Sequence, residues 1–394
     1  MKSVRNDNLC TIYMEGRVDT SNAAEIESDL MAIVNENSGA ELVIDMEQLM
    51  YISSAGLRVL MKLRKKNSGL TVVEVNRDVY EILETTGFTE IMNVKKALRK
   101  VSVEDCEVVG EGANGIVYRL DEETIIKVYK PHLRLIDVER ENNCAKQAFI
   151  SGIPTAITYD VVKVGDCYGA VYEMLNAEVL SQHIIKNTEN LEKYVTKFTE
   201  LAKKMHHTDA SDMNIPTTKD IFYSRLENLK QYATAEQIAI VKSVVDCLPE
   251  RNTMIHGDFH PKNVMIQDGE LVLIDMGDVS KGHPLIEVLD CFSAMKRMPQ
   301  TLPDRFRATI GMEPEIGVAF WDTFVKMYFP GISQETVAAL EGLGALMSGL
   351  RGVLNLPGRP GMEPVFQMCL KMMEEQGDTF KYLLKTMEKL FDEQ

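Results

Sequence analysis

Ile255-His256-Gly257-Asp258-Phe259-His260-Pro261-Lys262-Asn263-Val264 is the stretch on which the reading of this 394-residue chain turns. Asp275 follows in Leu273-Ile274-Asp275-Met276-Gly277-Asp278. Between the two stretches the residues read as a short strand, a turn at Asp268-Gly269 and a second strand. The order HxDxxxxN, hairpin, DxGD sets a carboxylate, a carboxamide and a second carboxylate at neighbouring loop ends. Phosphoryl transfer has a use for each. Asp258 can accept or orient an attacking hydroxyl, while Asn263 and Asp275 can give hard oxygens to magnesium bridging phosphates. His256 and His260 invite a metal pair instead, but ligation at i, i+4 needs a helix, and their surroundings read as loop and strand. His256 is therefore expected to hold the loop, with Asp278 in support.

Upstream, Gly110-Glu111-Gly112-Ala113-Asn114-Gly115 forms a glycine-rich turn. A dinucleotide site would need a helix directly after Gly115. Ile116 to Leu120 reads instead as a strand, and after Asp121-Glu122-Glu123 another strand, Thr124 to Tyr129, carries Lys127. That is a hairpin over phosphates with a lysine on the following strand. The lysine needs a holding carboxylate. Cys144, Ala145, Ala148 and Phe149 lie three, four, seven and eight residues beyond Glu141, which puts Glu141 on the buried face of its helix. Glu139 falls beside Asn142 and Asn143 on the polar side, so Glu141 is the expected partner.

The first hundred residues have another pattern. Leu9–Met14, Glu41–Met46 and Thr71–Val75 read as strands. Helices are expected after a Thr20 or Ser21 cap (burying Ala24, Leu30, Ile33 and Val34), from Ser54 to about Lys66 (burying Leu57, Leu60 and Met61), and from Arg77 to Thr85. Gly69 and Gly87 are their expected stops. Alternation of this kind makes a sheet with helices packed on it. Ser53 and Ser54 stand where a helix begins, and a cap is the ordinary use of a serine there. A phosphate on an exposed one would sit at the positive end of the helix dipole.

The net charge is −16, and residues 1–100 hold 13 basic and 15 acidic side chains, leaving −14 to the rest. Such a balance speaks against a general binder of nucleic acid or anionic membrane. The seven cysteines form no CxxC pair, so neither a disulfide framework nor a structural zinc site is expected. No uninterrupted apolar stretch of spanning length is seen, and the N-terminus lacks a signal-peptide core, so the chain reads as cytoplasmic. The second part reads as a small strand-rich lobe, about 102–174, and a helical lobe, about 175–394. Met368, Met372 and Met373 near its end suggest adaptable core packing.

Two resemblances follow. Residues 8–100, with Gly16-x-x-Asp19 and Tyr51-Ile52-Ser53-Ser54-Ala55-Gly56-Leu57, resemble the STAS domain, an α/β fold of sulphate transporters and anti-sigma factor antagonists. Its soluble bacterial members are switched by phosphorylation of a serine at this helix start, which implies Ser54 as phosphoacceptor and an anti-sigma-type regulatory partner. Ser53 stands where the family often has aspartate. Residues 103–394 resemble the aminoglycoside phosphotransferase family, an α+β bilobal protein-kinase-like fold that also includes choline kinases.

The second resemblance implies ATP and magnesium as cofactors and a sugar, amino sugar or amino alcohol as hydroxyl acceptor. It makes Asp258 the catalytic base, Asn263 and Asp275 the metal ligands, and Lys127 the phosphate contact. Gly110, Gly112 and Gly115 would cover the phosphates, and Glu173-Met174-Leu175 would be the adenine hinge, reading through backbone groups. Glu287 replaces an aspartate common in the family, and Lys262 a glycine. No APE-like segment follows Asp275, unlike in ordinary protein kinases. The boundary between the two parts is expected near residue 102. A kinase-like part that senses nucleotide, or phosphorylates Ser54, is the alternative reading.

Overall fold

The computed structural model describes residues 1–6, 8–112 and 114–392. The chain divides into two compact units, Met1–Val101 and Ser102–Gln394, each with its own core.

The first unit is built on a sheet in the order β1 (Lys2–Asn6), β2 (Leu9–Val18), β3 (Glu41–Ile52), β4 (Thr71–Val75) and β5 (Asn93–Lys96). β2 to β5 run parallel, and β1 folds back antiparallel on the edge. Alternation along β2 buries Cys10, Ile12 and Met14, and β3 buries Leu42, Ile44 and Met46. Helices Ala23–Glu36, Ser54–Lys66 and Arg77–Thr85 cover this face with Leu30, Val34, Leu57, Leu60, Leu63, Val79 and Leu83.

Several local expectations need correction. Strands β2 and β3 run on to Val18 and Ile52, and β1 is an additional strand. The first helix buries Ala23 and leaves Ala24 exposed, while Met61 is half-buried. Neither Thr20 nor Ser21 caps that helix, because Asp19 holds Ser21 through its backbone N–H and its hydroxyl. The second helix ends at Asn67 rather than Gly69. Gly87, with φ of 75°, does take the left-handed conformation that glycine tolerates.

The second unit opens with strands Val108–Glu111, Gly115–Arg119, Thr124–Tyr129, Cys167–Glu173 and Thr158–Val164, neighbours in that order and antiparallel throughout. Helix Leu135–Ile150 packs on them through Val138, while Cys144, Ala145 and Ala148 join the core of the helical part. Phe149 is 47% exposed, since the helix runs out one residue later and its last turn leaves the core. Helices dominate after residue 180.

Pro284–Phe292 is buried almost throughout and carries two acids, Glu287 and Asp290, into the interior. Buried charge of this kind is tolerated only when paired. Helix Gln334–Asn355 is long and apolar enough to cross a membrane by length and composition, which a search for unbroken apolar runs overlooks. Leu340, Leu343, Met347, Leu350 and Val353 from it are buried in the helical core. Of the late methionines, Met373 is buried and Met368 is 61% exposed, so only part of that face is core.

Candidate active site

Strand Thr124–Tyr129 points Lys127 at two acids from different elements. Its Nζ lies 2.7 Å from Glu141 Oε1 and 2.7 Å from Asp275 Oδ1. Glu141 arrives from the buried face of Leu135–Ile150, and Asp275 from the end of the hairpin that follows Asn263. Burial pulls the Lys127 ammonium down, but Glu141 and Asp275 outweigh it and the net direction is up. Burial pushes Glu141 upward against the pull of Lys127. Removing either partner of such a buried pair costs roughly 3–5 kcal/mol, because the other charge is stranded. Gly277 packs beneath Glu141, where a Cβ would come within 3.2 Å of Oε2.

Asp258 and Asn263 form a second constellation. Asn263 donates from Nδ2 to Asp258 O at 2.9 Å and to Asp258 Oδ2 at 3.0 Å. Both hydrogens of the amide are thereby spent, and its oxygen is left over. His260 Nε2 lies 3.4 Å from Asp258 Oδ1. Burial raises the Asp258 carboxyl, but His260, then His256 and Arg351, outweigh it and hold it below the usual carboxylate range. The side chain stays 55% exposed, open to an incoming group.

The loop beneath these residues is held by backbone bonds. His256 is fully buried; its Nε2 meets Ile274 O at 3.0 Å and its Nδ1 takes the Asp258 N–H at 3.4 Å. Both ring nitrogens are occupied, which removes His256 from any metal pair. Glu287 accepts from His256 N at 3.1 Å and Gly257 N at 2.7 Å, and it meets His206 Nε2 at 3.1 Å. Gly257, at φ of 80°, backs onto Asp278, whose carbonyl oxygen a Cβ would meet at 2.4 Å. Asp275 itself sits at φ of 61°, a left-handed conformation that a residue without glycine's freedom adopts at a cost.

The glycine turn closes with Gly112 N donating to Gly115 O at 2.9 Å. Gly115 lies so close to the neighbouring strand that a Cβ would be 2.3 Å from Val128 O. Gly110 is in strand Val108–Glu111, and Ala113 lies outside the described residues. At the expected hinge, Glu173 spends its side chain on Ile157 N at 2.7 Å, and Met174 N donates to Glu123 O. The Glu173 carboxylate is therefore a strut. A cavity of about 600 Å³ just beyond, lined by Asn176, Glu178, His183, Tyr194 and Lys197, lies apart from Lys127, Asp258 and Asp275.

In the first unit Ser53 is the N-cap of Ser54–Lys66, its Oγ accepting from Gly56 N at 3.4 Å. Ser54, the first helical residue, is exposed.

Residues 105–322 match the profile of the phosphotransferase enzyme family, which is more than half of the chain. The chain belongs to that family. The phosphotransferase carries at residues 1–101 a match to the STAS domain. Over 92 residues it is 35% identical to a Bordetella bronchiseptica protein bearing the name anti-sigma factor antagonist, covering 22% of this chain and 78% of that one. The N-terminal unit of the phosphotransferase is a STAS domain.

Among solved structures, a choline/ethanolamine kinase family protein from Mesorhizobium loti is 13% identical. It covers 72% of this chain and 92% of that chain at a TM-score of 0.46. An ADP-bound aminoglycoside phosphotransferase is 16% identical and covers 76% and 98% at 0.47. These scores decide nothing by themselves, and membership rests on the sequence profile. That profile ends at residue 322, so helix Gln334–Asn355 lies beyond it. Sequence reasoning missed what this helix brings to the site: Arg351, which bonds Asp290 from Nε at 3.0 Å and from Nη2. Arg225, bonded to Asp278 Oδ1 at 2.7 Å, was equally invisible, since no motif surrounds it.

Proposed function

We propose that the second unit transfers the γ-phosphoryl group of ATP, with magnesium, to a hydroxyl of a small molecule. The observation that carries this reading is the double hydrogen bond from Asn263 to Asp258, with Lys127 clamping Asp275 alongside. A base and a cation ligand are locked together on one loop. Among the described residues no group of three or more His, Cys, Asp or Glu could hold a metal. Two oxygen ligands, Asn263 Oδ1 and Asp275, suit magnesium, which keeps waters and shares phosphate oxygens instead of filling a protein cage. Bound there, the ion would neutralise charge on the phosphates.

In the transfer, the acceptor oxygen forms a bond to the γ-phosphorus as the bond to the β,γ-bridging oxygen breaks. ADP leaves, and the hydroxyl proton passes to Asp258 and then to solvent. Since its neighbours hold Asp258 ionised, its part is to orient the hydroxyl and receive the proton late, as the loose phosphoryl transition state allows. Lys127 is placed to reach phosphate oxygens, with Glu141 holding it. The glycine turn would cover the phosphates, and the backbone from Glu173 to Leu175 would hold adenine. Asp258→Ala, which leaves the loop's backbone bonds to Glu287 in place, should abolish Mg-dependent ADP formation while the thermal transition persists. ADP formation equal to wild type would refute the proposal.

A regulatory role for the STAS domain is favoured by one observation: Ser53 performs the cap, which frees Ser54 as an exposed phosphoacceptor for an anti-sigma-type partner system in the cytoplasm. Intact-mass measurement after incubation with Mg-ATP tests whether the attached kinase modifies it. A phosphate that persists in Ser54→Ala excludes Ser54 as its site.

A further inference from the structure

The two histidines that flank Asp258 are held in different ways. His256 bonds through both ring nitrogens, to Ile274 O and from the Asp258 N–H, and so fixes the backbone of the loop. His260 is also covered, with 8% of its surface exposed, but only one of its nitrogens is engaged. Nε2 lies 3.4 Å from Asp258 Oδ1, whereas Nδ1 is buried with no hydrogen-bond partner among the described residues. No other buried side-chain nitrogen or oxygen of those residues is left in that condition.

The backbone sets the direction of the ring. His260 precedes Pro261 and is extended, at φ of −151° and ψ of 164°, as the proline ring requires of the residue before it. Its carbonyl accepts from Asn263 N at 2.9 Å and closes the short turn Pro261–Asn263. His260 and Asn263 thus stand at the two ends of one turn, and both reach the same carboxylate. Asn263 Nδ2 takes Oδ2 at 3.0 Å, and His260 Nε2 faces Oδ1. No other side chain bonds Oδ1 among the described residues.

Of the two imidazole tautomers, the surroundings favour one. With the proton on Nδ1, a buried N–H would lack an acceptor and a bare Nε2 lone pair would face the carboxylate. With the proton on Nε2, the donor faces Oδ1 and only a lone pair is left without a partner. The second arrangement is better on both counts, since buried N–H groups are the orphans that folded proteins least tolerate. It also excludes His260 as a second base, because its bare nitrogen is sealed in. At 3.4 Å the contact is longer than an ordinary hydrogen bond, as catalytic contacts outside the reacting complex often are. We propose that His260 is a positioning residue for the transfer: it donates from Nε2 to Asp258 Oδ1 and, with Asn263 on Oδ2, fixes the plane of the carboxylate that meets the hydroxyl. Turning the carboxylate about its Cβ–Cγ bond would break both contacts at once. This rests on the kinase reading above and deepens it, and no proton is exchanged with His260.

The test uses the full chain with Mg-ATP, water serving as the acceptor. His260→Leu fills the space without a donor. His260→Gln returns a donor nitrogen at the reach of Nε2, and His260→Asn only at the reach of Nδ1. In His260→Leu, kcat for Mg-dependent ADP formation should fall roughly 10- to 100-fold, as for a lost charge-assisted bond and a misdirected base, with the KM for ATP within about threefold of wild type. His260→Gln should recover most of that loss and His260→Asn little of it. A side chain that merely filled space would give the reverse order, with leucine nearest to wild type. Thermal transitions like that of the wild type show that each variant is folded.

Nitrogen NMR of the isotope-labelled histidines, recorded on the wild type with Mg-ADP, reads the tautomer without recourse to turnover. The His260 signals are assigned by their loss in His260→Gln. A protonated Nε2 that shifts in Asp258→Asn is the expected result, and a bare Nε2 overturns the proposal whatever the kinetics. A kcat in His260→Leu equal to wild type, or no better in His260→Gln than in His260→Leu, overturns it as well. No Mg-dependent ADP formation by the wild type, with Nε2 protonated and responsive to Asp258, would refute the kinase reading alone and leave the donation from His260 to Asp258 standing.

Discussion

Glu287→Gln keeps a buried side chain's shape while exchanging one acceptor oxygen for a donor. The carboxylate takes Gly257 N on Oε1, and His256 N and His206 Nε2 on Oε2. His206 can adapt, because its Nδ1 faces the Tyr328 hydroxyl at 2.7 Å and the ring can exchange tautomers. The backbone N–H groups cannot, so at least one of them loses its acceptor in a fully dry site. A charge-assisted bond of this kind contributes about 1.5–3 kcal/mol, and an orphaned buried donor costs about 1–3 kcal/mol. The cheaper placement of the amide should therefore destabilise the second unit by about 2–4 kcal/mol, or very roughly 5–10 °C in Tm.

The kinetic effect should be larger than the thermal one suggests. Gly257 and His256 immediately precede Asp258, and a misplacement of about 1 Å costs on the order of 10²-fold in rate. Mg-dependent ADP formation should thus show a fall in kcat with the KM for ATP nearly unchanged. Glu287→Asp restores the charge but is one methylene short, so it should rescue only in part. A Glu287→Gln variant with kcat within about threefold of wild type and an unshifted Tm would show that Glu287 does not position the loop, and that the bonds of His256 suffice.

Three further outcomes are expected. Gly257→Ala should cost several kcal/mol, roughly 3–5, because it combines a left-handed backbone with a Cβ 2.4 Å from Asp278 O; the thermal transition of the second unit checks it. His283 caps Pro284–Phe292 by accepting from Leu285 N at 3.2 Å, and burial, then Arg251 and His206, lower its pKa to about 4. Its stabilising effect is fully present above about pH 6.5 and lost as pH falls through 4. That loss amounts to about 3 kcal/mol, and His283→Asn should flatten this limb of a Tm-against-pH curve. In the STAS domain, Ser53→Ala should lose about 1 kcal/mol with its cap, whereas Ser54→Glu should gain about 0.5 kcal/mol from the helix dipole; denaturant unfolding followed within residues 1–101 distinguishes the two.

How much of this was legible beforehand depended on whether a residue's role lay in local pattern. Lys127, Glu141, Asp258, Asn263 and Asp275 sit at fixed spacings on a strand, a helix and a hairpin, and helix periodicity alone separated Glu141 from Glu139. The same periodicity misplaced Phe149, because it cannot say where a helix leaves the core. Glu173 was legible as a position but not as a strut for Ile157, since that bond joins segments sixteen residues apart. Arg225 and Arg351 come from helices whose sequences carry no chemical signature, and only tertiary packing brings them to Asp278 and Asp290. Glu287 was visible as a departure, a longer acid where the family often has aspartate. Its three acceptor contacts show how the extra methylene is accommodated.

The cation of Lys127 joins a strand, a helix and a loop through two contacts of equal length, 2.7 Å each. Any motion that draws the strand-rich part of the second unit away from Asp275 must stretch one of them first. The lysine thereby acts as a gauge of cleft width: the pair that lengthens tells which wall has moved. Vibrational or isotope-shift signals from this one amine would report the opening of the whole unit, on whatever timescale it breathes.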